Sequence, residues 1–296
     1  MKRFKRSWEL SKVSFWVMRK DKEMLLFPLF AGILSVLFSA VIIISTDVVQ
    51  YLRLYRETEQ GLGHPVVLAV VFLLYFGLTF IVSFFNICTV FTSKTRFEGG
   101  NASFMDSIKF SAGKFTRIIQ WSFLQATVGV LLFILRLAIR RLPLVAELIP
   151  HALQMAWSTV TIFVLPTFVY EDVGPFRAIR QSMSILRKTW GETLIQTIGL
   201  GFILYVGLFV VGVIHGLLIF LALSTPGIRF ELVSFISLYV STLIVFLLFS
   251  VANTVFKTAL YIYATTGTEP SVYSETALSA TTFQEVFSKD DALASN

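Results

Sequence analysis

Apolar and polar positions along this 296-residue chain separate into six long stretches without a charged residue and the polar links that join them. The stretches cover 25–46, 66–93, 118–135, 148–170, 193–228 and 232–256. As an α-helix rising about 1.5 Å per residue, about 20 apolar residues cover about 30 Å of hydrocarbon, and each stretch is at or near that length. The pattern predicts an all-α, polytopic membrane bundle: a basic segment over 1–24, six transmembrane helices over 25–268, and a tail over 269–296.

The links carry their own pattern. In the segments 4–23, 104–121 and 176–192, apolar residues recur every three or four positions with bases between them. That period predicts amphipathic helices lying along the interface. Phe104, Ile108, Ser111, Lys114 and Trp121 are echoed by Phe176, Ile179, Ser182, Arg187 and Trp190, and more loosely by Trp8, Ser11, Trp16, Arg19 and Lys20. Thr89-Val90-Phe91, Thr161-Ile162-Phe163 and Thr254-Val255-Phe256 mark the second, fourth and sixth stretches. Together they suggest a threefold repeat of an interfacial helix followed by a helical hairpin.

Composition changes the picture little: 55% hydrophobic residues, 30 phenylalanines and a mean hydropathy of +0.76 exceed what one soluble core of 33.4 kDa could bury. Charge adds orientation. The net charge is +7, and 19 of the 25 bases fall in the N-terminal segment, the second and fourth links and the C-terminal part, against six on the other side. Lys and Arg in short flanking loops stay cytoplasmic, so both termini are expected inside a cell membrane, with the six spans between them. Bases placed beside apolar spans speak for membrane lipid as partner and against nucleic acid. The first stretch, at 22 residues, is longer than a signal-peptide core and is read as a retained span. The outward loops leave no room for a folded domain, which confines binding or chemistry to the membrane and the cytoplasmic face.

Tyr170-Glu171-Asp172-Val173-Gly174-Pro175-Phe176, then Ala178-Ile179, Ser182 and Arg187-Lys188-Thr189-Trp190, resemble the linker of a group of uncharacterised six-span membrane proteins. That group is akin to the membrane domain attached to some glycerophosphodiester phosphodiesterases. Ser7-Trp8-Glu9-Leu10, Asp21-Lys22-Glu23 and Leu26-Phe27-Pro28 resemble its start, so the likeness covers about the first 270 residues. The phosphodiesterase domain is absent. The resemblance therefore implies architecture and carries over no catalysis.

Candidate site residues are few. Lys114, Arg117, Arg187 and Lys188 in the inward links, and Arg136, Arg140 and Arg141 closing the third span, are candidates for lipid headgroups; for Arg136 and Arg140, and for Lys257, the plainer reading is a long side chain snorkelling to the interface. Gly212 and Gly216, flanking His215, are expected to admit a neighbouring helix to which His215 bonds, and Asn86 and Asn253 to bond between helices, as do Gln120, Gln125 and Gln196. Glycines along the fifth span place it centrally, and Pro166 is expected to kink the fourth. His64, His151 and His215 match no ligand spacing, Cys88 is the sole cysteine, and no metal or other cofactor is expected. No phosphate loop, nucleophile elbow or His-Glu-x-x-His run appears, and Glu171-Asp172 reads as a cap for the helix that follows. No enzyme activity is expected. The tail, with five acids and one lysine, reads as flexible, and Phe283, Val286 and Phe287 could dock on a partner. The functional expectation is a module that works by binding, to anionic lipid or to a cytoplasmic protein partner. The alternative is a transporter of a small or lipidic solute.

Overall fold

The structure is a computed structural model that describes residues 17–46, 48–50, 53, 65–141, 143–224 and 228–266. A short 3-10 turn, Lys22–Leu25, leads into α1 (Leu26–Ser45), α2 (Pro65–Phe97), α3 (Phe104–Gly113), α4 (Phe115–Ala138), α5 (Pro143–Val160), α6 (Val164–Tyr170), α7 (Pro175–Lys188), α8 (Trp190–Ser224) and α9 (Ile228–Thr266). No strand occurs among the described residues. Five segments are long and apolar enough to cross a bilayer: Lys22–Ser45, Pro65–Phe97, Phe115–Ala138, Ala146–Tyr170 and Val233–Thr266. They fall on the first four predicted stretches and on the sixth. In α8 the apolar run Leu204–Phe220 is shorter. Trp8, Ser11, Trp16, His64 and the tail with Phe283, Val286 and Phe287 lie outside the described residues.

The helices divide into two compact units. The first, residues 26–95 and 101–188, contains α1 to α7. Here α2 and α4 run antiparallel, since Phe72 meets Phe123 edge-on at 5.5 Å and Phe80 meets Phe115 at 5.4 Å. Rising numbers on one helix meet falling numbers on the other. Gly129 lets the Tyr75 ring come within 3.0 Å of where a β-carbon would stand, and Gly77 likewise lies against the ring of Phe38. These two glycines are where the helices of this unit need a missing side chain.

α3 continues the antiparallel course of α4 along the last part of α2. Its start is fixed by a capping box, in which the Ser103 hydroxyl accepts from the Asp106 amide and the Asp106 carboxylate accepts from the Ser103 amide. Ser107 and Thr92 share a hydrogen bond of 2.7 Å, Phe110 stacks on Phe91 at 4.2 Å, and the Ser111 hydroxyl donates to the Phe84 carbonyl at 2.7 Å. Phe104 also stacks on Phe27 of α1 at 5.1 Å. The buried face of α3 thus lies on protein.

α5 and α6 form one span-length path, Ala146–Tyr170, interrupted at 161–163. Pro166 has no N–H to give the Ile162 carbonyl, so the α-helical ladder fails one turn earlier. Bonds of the tighter i to i+3 type replace it, from Ile162 to Thr159 and from Val164 to Thr161. α7 folds back on this break. Ser182 accepts from the buried Phe163 amide at 3.1 Å and donates to the Val160 carbonyl at 2.6 Å, satisfying both freed groups. α7 buries Pro175, Ala178, Ser182, Ile185 and Leu186 at helical spacing and leaves its bases exposed.

Burial within this unit is uneven. Ile87, Val90, Ile118, Trp121, Val164, Phe168, Val169 and Ala178 form one core, located where α2 and α6 end and α4 begins. Away from it, Ile33, Val36, Leu37, Ile44, Leu73, Leu131, Leu148 and Met155 are exposed, at the apolar positions that need lipid.

The second unit holds residues 1–25, 96–100 and 189–296. α8 and α9 are antiparallel, with His215 opposite Ser237 and Gly207 opposite Val245, where a β-carbon on the glycine would be 3.3 Å from the valine. Asp21 accepts a forked pair of bonds from Arg96, one of them from Nε at 2.6 Å. Met24, in the 3-10 turn that packs on α9, is fully buried.

Candidate functional site

Two of the predicted cationic residues come together, and they do so at the packed end of the first unit. Lys114 is the junction of α3 and α4, and Arg117 lies in the first turn of α4. Ser111 tied to α2 on one side, and Ile118 and Trp121 in the core on the other, fix the junction in place. Opposite them, α6 ends at Tyr170, Glu171 takes extended backbone, and Gly174-Pro175 starts α7, so Asp172 stands out from the link. Its Oδ1 is 3.5 Å from Lys114 Nζ and 3.5 Å from Arg117 Nε. The cations are largely covered, at 19% and 32% exposure, while Asp172 is 74% exposed. Lys114 first, and then Arg117, hold the Asp172 carboxyl below the usual carboxylate range. The Asp106 carboxyl is lowered as well, chiefly by the Ser103 hydroxyl.

Lys94, one turn past Val90 of the core on α2, places its ammonium 4.8 Å over the ring of Tyr170, two residues before Asp172. Phe115, between the two cations, is half exposed, and Phe176, four residues after Asp172, is 77% exposed. The arrangement is a cationic pair with one shared carboxylate, with two partly exposed rings close by in the chain, at the close-packed end of the first unit.

The other predicted residues are elsewhere. Arg136, in the last turn of α4, and Arg140 and Arg141 just after it are exposed at the opposite end of that helix, about 33 Å from Lys114 at 1.5 Å per residue. Arg187 and Lys188 are exposed at the end of α7, which runs away from Asp172. His215 Nδ1 is 2.8 Å from the Val211 carbonyl, so that nitrogen donates, and Nε2 accepts from Ser237 at 2.8 Å in the neutral ring. Gly212 and Gly216 beside it face open space, and no atom comes within 4 Å of where their side chains would begin. Asn86 and Asn253 are half-buried on α2 and α9. Trp157 donates to Gln125 at 2.6 Å, joining α5 to α4. His151 is exposed, and among the described residues no three His, Cys, Asp or Glu converge as a metal would need.

Sequence reasoning missed Asp172 as an ion-pair partner, because it assigned that carboxylate to the start of α7. It also missed Lys94 with Tyr170, and Ser182 as the brace of the broken span. For Ser182 a signal did exist, its match to Ser111 in the repeated segments.

Span-length apolar helices, a core at one end and lipid-type exposure elsewhere define a polytopic helical membrane protein. Within that class the chain belongs to DUF6159, a family of unknown function whose family model matches residues 65–271, from the start of α2 to just past α9 and so across the whole cationic site. No curated protein matches the chain.

Proposed function

We propose that this protein is a six-span membrane module with both termini in the cytoplasm, and that it works by holding anionic lipid at its basic end. The observation that carries the reading is the convergence of Lys114 and Arg117 at the close-packed end of the first unit, with the exposed apolar helices beyond the core. Each base close to an anionic surface adds about 1 kcal/mol of attraction, and Lys94, Lys109, Arg177 and Arg180 lie in the same links. The sixth crossing is α8. It is a helix of 35 residues and pairs antiparallel with α9, whose own length spans a bilayer.

The interrupted fourth span is the feature a transporter would use. Its freed Val160 carbonyl and Phe163 amide are taken up by Ser182, which weighs against their coordinating a solute.

The test is reconstitution into vesicles of neutral lipid with increasing anionic lipid, followed by native mass spectrometry of what remains bound. Retention of anionic over neutral lipid that weakens with salt is the expected result. Equal retention of both overturns the reading, and a co-purifying soluble protein with no lipid preference replaces it with the scaffold alternative.

A further inference from the structure

We propose that Lys114 and Arg117 bind the phosphate of a phosphomonoester lipid, and that Asp172 is a built-in competitor occupying that phosphate's place. The inference rests on the anionic-lipid reading above and names the ligand and its regulation.

Three observations carry it. The first is the geometry: one carboxylate oxygen, Oδ1, is shared by both cations, at 3.5 Å from each. Charge-assisted bonds between committed partners are closer, at about 2.7–2.9 Å. Asp172 therefore reaches both cations only at the long limit of hydrogen bonding, Arg117 Nε donating to it at 3.5 Å, and a group with several oxygens could reach both more closely. The second is the balance of charge. Two cations against one carboxylate leave one positive charge over. A phosphodiester brings a single negative charge and only matches what Asp172 supplies, whereas a phosphomonoester brings about two and matches Lys114 and Arg117 together once the carboxylate swings out. Asp172 is 74% exposed and lies in an extended link, so it has solvent to swing into. The third observation selects lipid over a soluble phosphate. Phe176, four residues after Asp172, is 77% exposed, and Phe115, next to Lys114 in the chain, is half exposed with its ring edge-on to Phe80. A free phosphate has no use for those rings, but an acyl chain does.

The experiment uses the full chain in nanodiscs of neutral lipid, to which a lipid with a terminal phosphate is added at a few mole per cent, with binding of that lipid as the readout. Asp172→Asn removes the competitor and is expected to tighten binding about fivefold, the worth of one cation–headgroup contact. Lys114→Gln and Arg117→Gln are each expected to weaken it by a similar factor and to cancel the gain in combination with Asp172→Asn. A phosphodiester lipid is expected to respond less to all three. Thermal unfolding of each variant confirms that it is folded, as expected for substitutions at an exposed link.

If Asp172→Asn leaves phosphomonoester binding unchanged or weaker while the wild-type chain still prefers anionic lipid through Lys114 and Arg117, the competitor is overturned and the broader reading stands. If the wild-type chain shows no anionic preference at all, both fall. If glycerol phosphate in solution binds as well as the lipid does, the lipid assignment is overturned.

Discussion

Ser182 and Ser111 donate hydrogen bonds of nearly equal length, 2.6 and 2.7 Å, to carbonyls of the preceding span, yet their loss has unequal consequences. The Phe84 carbonyl that Ser111 meets lies within the continuous helix α2 and keeps its intrahelical donor. The Phe163 amide that Ser182 accepts from lies in a break, fully buried, and has no helical acceptor to return to. A buried donor left unsatisfied costs about 1–3 kcal/mol, whereas a bond removed from an already satisfied acceptor costs about 0.5–1.5. Ser182→Ala is thus expected to lower stability more than Ser111→Ala, by about 1 kcal/mol at the midpoints of those ranges, in equilibrium unfolding from detergent micelles. Equal losses would mean that the break does not lean on Ser182. The pairing of these serines was legible in the sequence as a repeat, though their bonds were not. Lys114 and Arg117 were legible as bases in an inward link. Asp172 was not, because its partners lie 58 and 55 positions away and a carboxylate just ahead of a helix reads locally as a cap. Glycine spacing misled in the same way: Gly212 and Gly216 have the right interval, but interval does not say which face of α8 meets α9, and Gly207 is the one against Val245.

Among the elements, long uncharged runs were read directly, since the length of hydrocarbon sets them, and four of the five crossing segments lie within a few residues of the uncharged stretches 25–46, 66–93, 118–135 and 148–170, while Val233–Thr266 runs about ten residues beyond 232–256. The course of α3 was not legible. An apolar stripe with bases between is written identically whether it is to meet lipid or protein, because either removes it from water, and α3 uses its stripe on α2 through Ser107, Phe110 and Ser111. The same ambiguity applies to α7, whose apolar stripe is spent on the broken span. In the second unit the His215–Ser237 bond is a clasp between two helices that also meet at Gly207 and Val245. Interhelical polar bonds in bilayers are worth about 0.6 kcal/mol and seldom more than about 1.7. His215→Leu, which keeps bulk and loses the bond, is expected to cost no more than that, with the hairpin intact in a steric-trapping or dodecyl-sulfate unfolding assay. A loss of several kcal/mol would show that the imidazole does more than join α8 to α9.

At the scale of the molecule the end of the first unit that carries Lys114, Arg117 and Asp172 is close-packed, and the opposite end, which carries Arg136, Arg140 and Arg141, lies past exposed apolar helix. A bilayer around that apolar stretch would put the two groups of bases on opposite faces, and the excess of Lys and Arg predicts which of them is cytoplasmic. The single cysteine makes this measurable, because Cys88 is buried and its replacement by alanine leaves a background free of thiols. In that background, cysteines introduced at Asp172 and at the chain's last residue, Asn296, are expected to react with a membrane-impermeant maleimide only after the cells are opened, and a cysteine at Arg141 in intact cells. Labelling of Asp172 and Arg141 from one side would remove the crossing of α4 and the placing of the cationic site at the inner headgroups. Labelling of Asp172 and Asn296 from opposite sides would leave α4 in place and remove α8 as a full crossing, because between those two positions α8 and α9 are the long apolar helices among the described residues, and an even number of passages is needed to return the chain to the face of Asp172.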